Sequence, residues 1–202
     1  MKAKPRQRTK PPEVRREEIM AAAQRLLLKQ GVAATTIDHV AAGAGVAKGT
    51  VYLHFTSKQT LLTALGERFA EQHLTCIEAA LAARAERDWA GKLKAWAEAS
   101  VTFYLDSIAL HDMLFHEARA PTREGRIDNI IIDHLTWLLR AGSDAGAWSV
   151  DDARFTAVFL FSGMHGIVDD AYVKEKRIAR GRLIRRLQRI CFRSAGLQSD
   201  DN

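Results

Sequence analysis

Cysteine is nearly absent. Cys76 and Cys191 are the two in 202 residues, far apart and outside any CxxC spacing. That excludes a disulfide framework and offers no zinc-finger spacing. Both fall on apolar sides of predicted helices, where a thiol packs as a small buried hydrophobe; a redox switch is the alternative reading. Long apolar runs are missing too. The strongest, Phe155 to Met164 and Ile130 to Leu139, are too short to cross a bilayer and contain polar residues. Met1 is followed by Lys2, Lys4, Arg6, Arg8 and Lys10 with no apolar stretch, so no secretory signal is expected. The chain is therefore expected in the cytoplasm, with no membrane partner. Strand-like alternation and internal repeats are absent as well. His111, His116, His134 and His165 have carboxylates nearby in sequence. No nucleophile motif, phosphate loop or metal-ligand spacing accompanies them, so the expectation is no enzyme, no cofactor and no metal.

What the chain does have is a 47% hydrophobic content, enough for a sizeable core. Its charge is uneven. Through Lys58 there are 11 Lys and Arg against 4 Asp and Glu, a balance of +7, while the remainder carries 19 against 20. The net positive charge thus lies in the first quarter, where a polyanion is most easily attracted.

Residues 1–12, rich in Lys, Arg and Pro, cannot build a core and read as a disordered basic arm. Helical periodicity then takes over. Ile19, Ala22, Ala23, Leu26 and Leu27 make one stripe, with Gly31 as its stop. Thr35 or Thr36 caps a short helix from Ile37 to about Ala44, and a third runs from Ala47 or Lys48 to about Phe55. Ser57 caps a long fourth helix carrying Leu61, Leu65, Phe69, Ile77 and Leu81. Further helices follow: Leu93 to Tyr104, Leu110 to Ala118, and one opening at Pro121 with Ile127, Ile131 and Leu135 on its apolar side and Gly142 and Gly146 closing it. Ser149 is the expected cap of a helix from Asp151 to Tyr172, and a last helix covers Ile178 to Ser194. The fold class is all-α, with about nine helices.

The stretch from Thr36 to Phe55 has what a helix-turn-helix requires. Ala41 is small enough for two helices crossing steeply, and Gly45 suits the turn. Val40, Ala44, Val46 and Val51 can lock the pair, which projects the second helix as a reader of the major groove. From Arg15 to Leu65 the text resembles the TetR family of tetracycline-repressor-like regulators. The resemblance rests on Ile19-Met-Ala-Ala-Ala-Gln-Arg-Leu-Leu, Gly31-Val-Ala-Ala-Thr-Thr-Ile, Val40-Ala-Ala-Gly-Ala-Gly-Val-Ala-Lys-Gly-Thr-Val-Tyr-Leu-His-Phe and Ser57-Lys-Gln-Thr-Leu-Leu. It covers about a quarter of the chain.

The resemblance implies a DNA-binding domain over residues 13–60 and an effector-binding and dimerisation domain over 61–202. It implies a homodimeric repressor on a palindromic double-stranded operator, released by a small-molecule effector. A DNA-binding regulator without an effector, or an activator, is the alternative. Ala47, Lys48, Gly49 and Thr50 then sit at the reader's N-terminal turn, where small residues let backbone approach bases. Thr36, Tyr52, His54 and Lys58 take phosphate contacts, and Leu53 meets thymine methyls or packs. The basic arm follows the minor groove or remains a solvated tail.

For the remainder the residues speak more softly. Trp96, Phe103, Tyr104, Phe115, His116, Trp137, Phe161 and His165 are candidates to line an effector cavity, favouring a hydrophobic or aromatic ligand. His165 with Asp169, one turn apart, is weak as a metal pair. The helix containing Phe155, Val158, Ser162 and Gly166 is apolar or small nearly all round, so a partner subunit is expected on one side. Leu183, Leu187 and Ile190 form a seam on the last helix, expected to join that interface. Arg182, Arg185, Arg186 and Arg189 beside it read as a solvated rim or a second DNA surface.

Overall fold

The computed structural model describes residues 10–117, 130–175 and 178–197. The arm through residue 9, Ala118 and the Pro121 and Ile127 helix start lie outside the described residues. Among the described residues the structure is all-helical. Its α-helices are α1 (Pro12–Ala34), α2 (Ile37–Ala44), α3 (Lys48–His54), α4 (Lys58–Ala82), α5 (Trp89–Asp106), α6 (Ile108–Asp112), α7 (Ile130–Asp144), α8 (Ala153–Lys174) and α9 (Arg180–Ser194). A π-helical turn, Met113–Glu117, continues α6. The chain divides into two compact units, one drawn from Met1–Arg68 and Ala109–Ala120, the other from Phe69–Ile108 and Pro121–Asn202.

In the first unit, α1 buries Ile19, Met20, Ala22, Ala23 and Leu27, the face its spacing predicts. Gly31 breaks the helix at φ 79°, a left-handed backbone that any side chain would strain. Ser57 caps α4: its hydroxyl accepts from the Thr60 amide at 3.1 Å, and the Ser57 amide donates to the Thr60 hydroxyl at 3.0 Å. Arg68 of α4 donates to Glu17 and Gln24 of α1, tying the two helices together.

The second unit has one continuous core around Trp96, Leu135, Leu138, Leu139, Ala157, Leu160 and Leu187. Gly142 is not the stop expected from the sequence. It lies inside α7, and a Cβ there would fall 2.0 Å from the Trp148 ring, so the missing side chain seats the indole. Trp148 Nε1 donates to the Leu139 carbonyl at 2.7 Å. The chain turns instead at Gly146, φ 71°.

Three further expectations need correction. Asp152, not Ser149, caps α8, accepting from the Phe155 amide at 2.9 Å; a carboxylate next to the first helical residue reaches the free amides best. Cys191 is buried, but Cys76 is exposed. On α4 the buried side is set by His73, Ile77 and Leu81, at four-residue intervals, and Cys76 lies off that line. Leu183 and Leu187 are buried within their own unit, where α9 packs on α5, rather than left for a second chain. The stripe on α9 is narrow, and the core of its own unit already uses it.

Candidate nucleic-acid interface

Within the first unit, the turn between α2 and α3 is fixed by backbone bonds. Gly45 takes φ 66° and ψ 35°; its amide donates to the Ala42 carbonyl, and the Val46 amide donates to Ala41 at 2.9 Å. This pair of bonds is a Schellman closure, which a side chain at position 45 would strain. Val40, Ala41, Val51 and Phe55 are buried beneath it. Gly43 allows close approach to α1, since a Cβ there would meet Leu26 at 3.1 Å. Thr36 caps α2 in a reciprocal box: the His39 amide donates to its hydroxyl at 3.2 Å and its own amide donates to His39 Nδ1 at 3.4 Å. The hydroxyl proton of Thr36 takes no part in that box.

With Val51 and Phe55 turned inward, α3 presents Ala47, Lys48, Gly49, Tyr52 and Leu53 to solvent, with Thr50 and His54 at the margin. Lys48, Gly49, Tyr52 and Leu53 share one face. Leu53 is 85% exposed, an apolar side chain that the fold itself does not use. Nothing lies within 4 Å of a Cβ built on Gly49, so packing within the chain does not require glycine there.

Two lysines have partners the sequence did not reveal. Lys48 Nζ sits 2.8 Å from Asp38 on α2, and that hydrogen bond holds its ammonium pKa above the ordinary lysine range. Both side chains are exposed, so the pair is weak and a phosphate can replace the carboxylate. Ten residues separate the two, and no local pattern signals the contact. Lys58 donates to the Val32 carbonyl, just past the Gly31 break. An ammonium has three donors, so this bond leaves others for an anion. Arg16 stacks 5.2 Å above the Phe55 ring.

Residues 19–65 match the family described as bacterial regulatory proteins, tetR family. The HTH-type transcriptional regulator YerO of Bacillus subtilis (strain 168) is 37% identical over 78 residues, 39% of this chain and 25% of that protein. The chain thus aligns with about a quarter of that relative's length. Among solved structures, the fatty acid degradation regulator FadR from Bacillus halodurans superposes with a TM-score of 0.72 at 21% identity, covering 91% of this chain and 96% of FadR. SmeT, the repressor of the Stenotrophomonas maltophilia multidrug efflux pump SmeDEF, gives 0.67 at 21% identity, covering 93% and 90%. Residues 19–65 thus form a tetR-family domain.

The residues expected to line an effector cavity are divided between the two units. Phe115 and His116 belong to the first unit. In the second, Phe103 packs on α4, its ring stacked at 4.6 Å on His73 and edge-on at 5.1 Å to Phe69. Tyr104, Phe161 and His165 do meet: the His165 ring lies 4.6 Å from Tyr104 and 4.2 Å from Phe161. The Tyr104 hydroxyl donates to Asp169, the residue paired with His165 in the weak metal reading. Trp96 is fully buried and donates from Nε1 to His134 Nδ1 at 3.2 Å. Burial lowers the His134 pKa, with the Glu78 charge acting the other way, so the imidazole stays neutral and able to accept.

A groove of about 520 Å³ is lined by Asp133, Thr136, Trp137, Arg140, Ala141, Asp144 and Arg154. Of the eight candidates it includes Trp137. On α8, Ala157, Leu160, Met164 and Val168 are buried, while Phe155 at 71%, Phe159 at 60%, Val158, Ser162, Gly166 and Ile167 face solvent. Ile190 of α9 is also exposed.

Proposed function

We infer that this chain is a homodimeric transcriptional repressor that binds a palindromic double-stranded operator. One observation carries the reading. The α3 face of Lys48, Gly49, Tyr52 and Leu53 stands exposed on a rigid turn, in the part of the chain that holds a balance of +7. Lys48 and the backbone at Gly49 approach base edges and phosphates, and Tyr52, His54 and Thr36 hold the flanking backbone. Two such readers must sit about 34–36 Å apart to enter successive major grooves, which needs a second copy. The exposed apolar face of α8 supplies a surface for that copy. Repression as the sign of regulation is in keeping with SmeT, a repressor of the same fold.

A small hydrophobic or aromatic effector releases the operator in this reading, by favouring a form whose readers are mis-spaced; a useful release needs about 1–3 kcal/mol of coupling. The filled core around Trp96 and Leu135 favours a second reading, regulation without a small-molecule effector. The deciding experiment selects bound duplexes from a randomised DNA pool at about physiological salt. Enrichment of one palindrome with half-sites one helical turn apart is the expected result. Recovery of unselected DNA, held by charge alone, would overturn the reading.

A further inference from the structure

The geometry points to a divalent transition-metal site at His111, Asp112 and His116, in the same compact unit as the helix-turn-helix. Their ligand atoms all lie within 4.8 Å of one another. Asp112 Oδ1 is 3.5 Å from His111 Nδ1 and 3.8 Å from His116 Nε2. Donors at about 2.1 Å from a tetrahedral Zn²⁺ stand about 3.4 Å apart, so small side-chain rotations close the set on an ion.

The backbone explains why these three converge. At 3.6 residues per turn, five residues overshoot a full turn by about 140°, and His111 and His116 would point apart. The wider winding of Met113–Glu117 brings position i+5 back over position i, placing His116 above both His111 and Asp112. His111 is held in place, its ring 5.0 Å from Phe115 and its side chain only 12% exposed. Asp112 and His116 open toward water, which provides the entry path. No Lys or Arg ion pair to Asp112 occurs among the described residues. Two imidazoles and one carboxylate suit a borderline ion of the Zn²⁺ class and not Mg²⁺ or Ca²⁺, which prefer oxygen alone. Water completes the shell, and the ion would bind α6 to the π-helical turn.

The test titrates Zn²⁺, then Co²⁺, into the full-length, tag-free chain by calorimetry, beside His116→Ala and Asp112→Asn. Both substitutions are at solvent-open side chains, and circular dichroism checks that the helices persist. One ion per chain is expected, with affinity falling more than about tenfold in each variant, since even outer-shell partners of a metal carry that much. No binding by the unaltered chain, or equal binding by all three proteins, would overturn the site; the second result would assign the ion to the five other histidines.

Discussion

Replacing Gly49 with alanine should stabilise the fold and weaken the DNA complex, two effects of opposite sign from one methyl group. Gly49 is the second residue of α3, and a Cβ there meets nothing within 4 Å. The methyl therefore costs no packing, while glycine in a helix is about 0.5–1 kcal/mol worse than alanine. Unfolding free energy should rise by up to that amount, which for a chain of this size moves Tm by about 1–4 °C. In the proposed DNA complex the same methyl would occupy the space through which the α3 backbone approaches the groove. A loss of about tenfold or more in operator affinity is expected, about 1.4 kcal/mol. The assay pairs thermal unfolding with fluorescence anisotropy on the selected duplex at fixed salt. An unchanged Kd alongside a raised Tm would refute the assignment of this face to DNA. A lowered Tm would refute the claim that the position is unpacked.

Three further outcomes are expected. Phe159→Asp, on the exposed face of α8, should leave helicity intact but weaken the proposed self-association by at least about a hundredfold, because each protomer of that dimer would then bury an unpaired charge; an unshifted dimer in sedimentation velocity would place the interface elsewhere. A disulfide reagent should label Cys76 alone in the native chain and both thiols after unfolding, since Cys191 is buried and its pKa is pushed up to about 12. Rapid native labelling of two thiols would contradict the α9 packing. Because burial depresses the folded-state pKa of His134, the unfolded chain binds its proton more readily. The stability from that neutral imidazole is present above about pH 6.5 and is lost as pH falls through the lowered folded value. Urea unfolding across pH 5 to 8 should show this slope in the native sequence and a flatter one in His134→Gln.

The helix-turn-helix was legible because its constraints are local. Gly45, Ala41 and Val51 must be small, left-handed or buried for reasons that act within twenty residues, so sequence spacing and structure agree. The caps show the same locality and its limit. Thr36 and Ser57 cap as expected, whereas Ser149 lost to Asp152 because either can cap and only the position of the first helical turn decides. Lys48 with Asp38, Lys58 with Val32 and the His111, Asp112 and His116 cluster were not legible. The first two need the α2–α3 turn and the α1 break to be built. The third depends on a π-helical winding for which the residues give no periodic signal.

By itself the amino-acid sequence determined the all-α class, the helix-turn-helix, and the family that the first quarter matches. Periodicity, turn glycine and charge balance act over short distances and are written directly in the residue order. The tertiary structure decided which apolar stripes were already used. Leu183, Leu187 and Cys191 went to their own core, while Phe155, Val158 and Phe159 were left outward on α8. It likewise set Phe115 and His116 in one unit and the other six aromatic and histidine candidates in the second. An apolar face can pack against one set of neighbours at a time, and that set is chosen by the packing of distant helices, which no local pattern encodes.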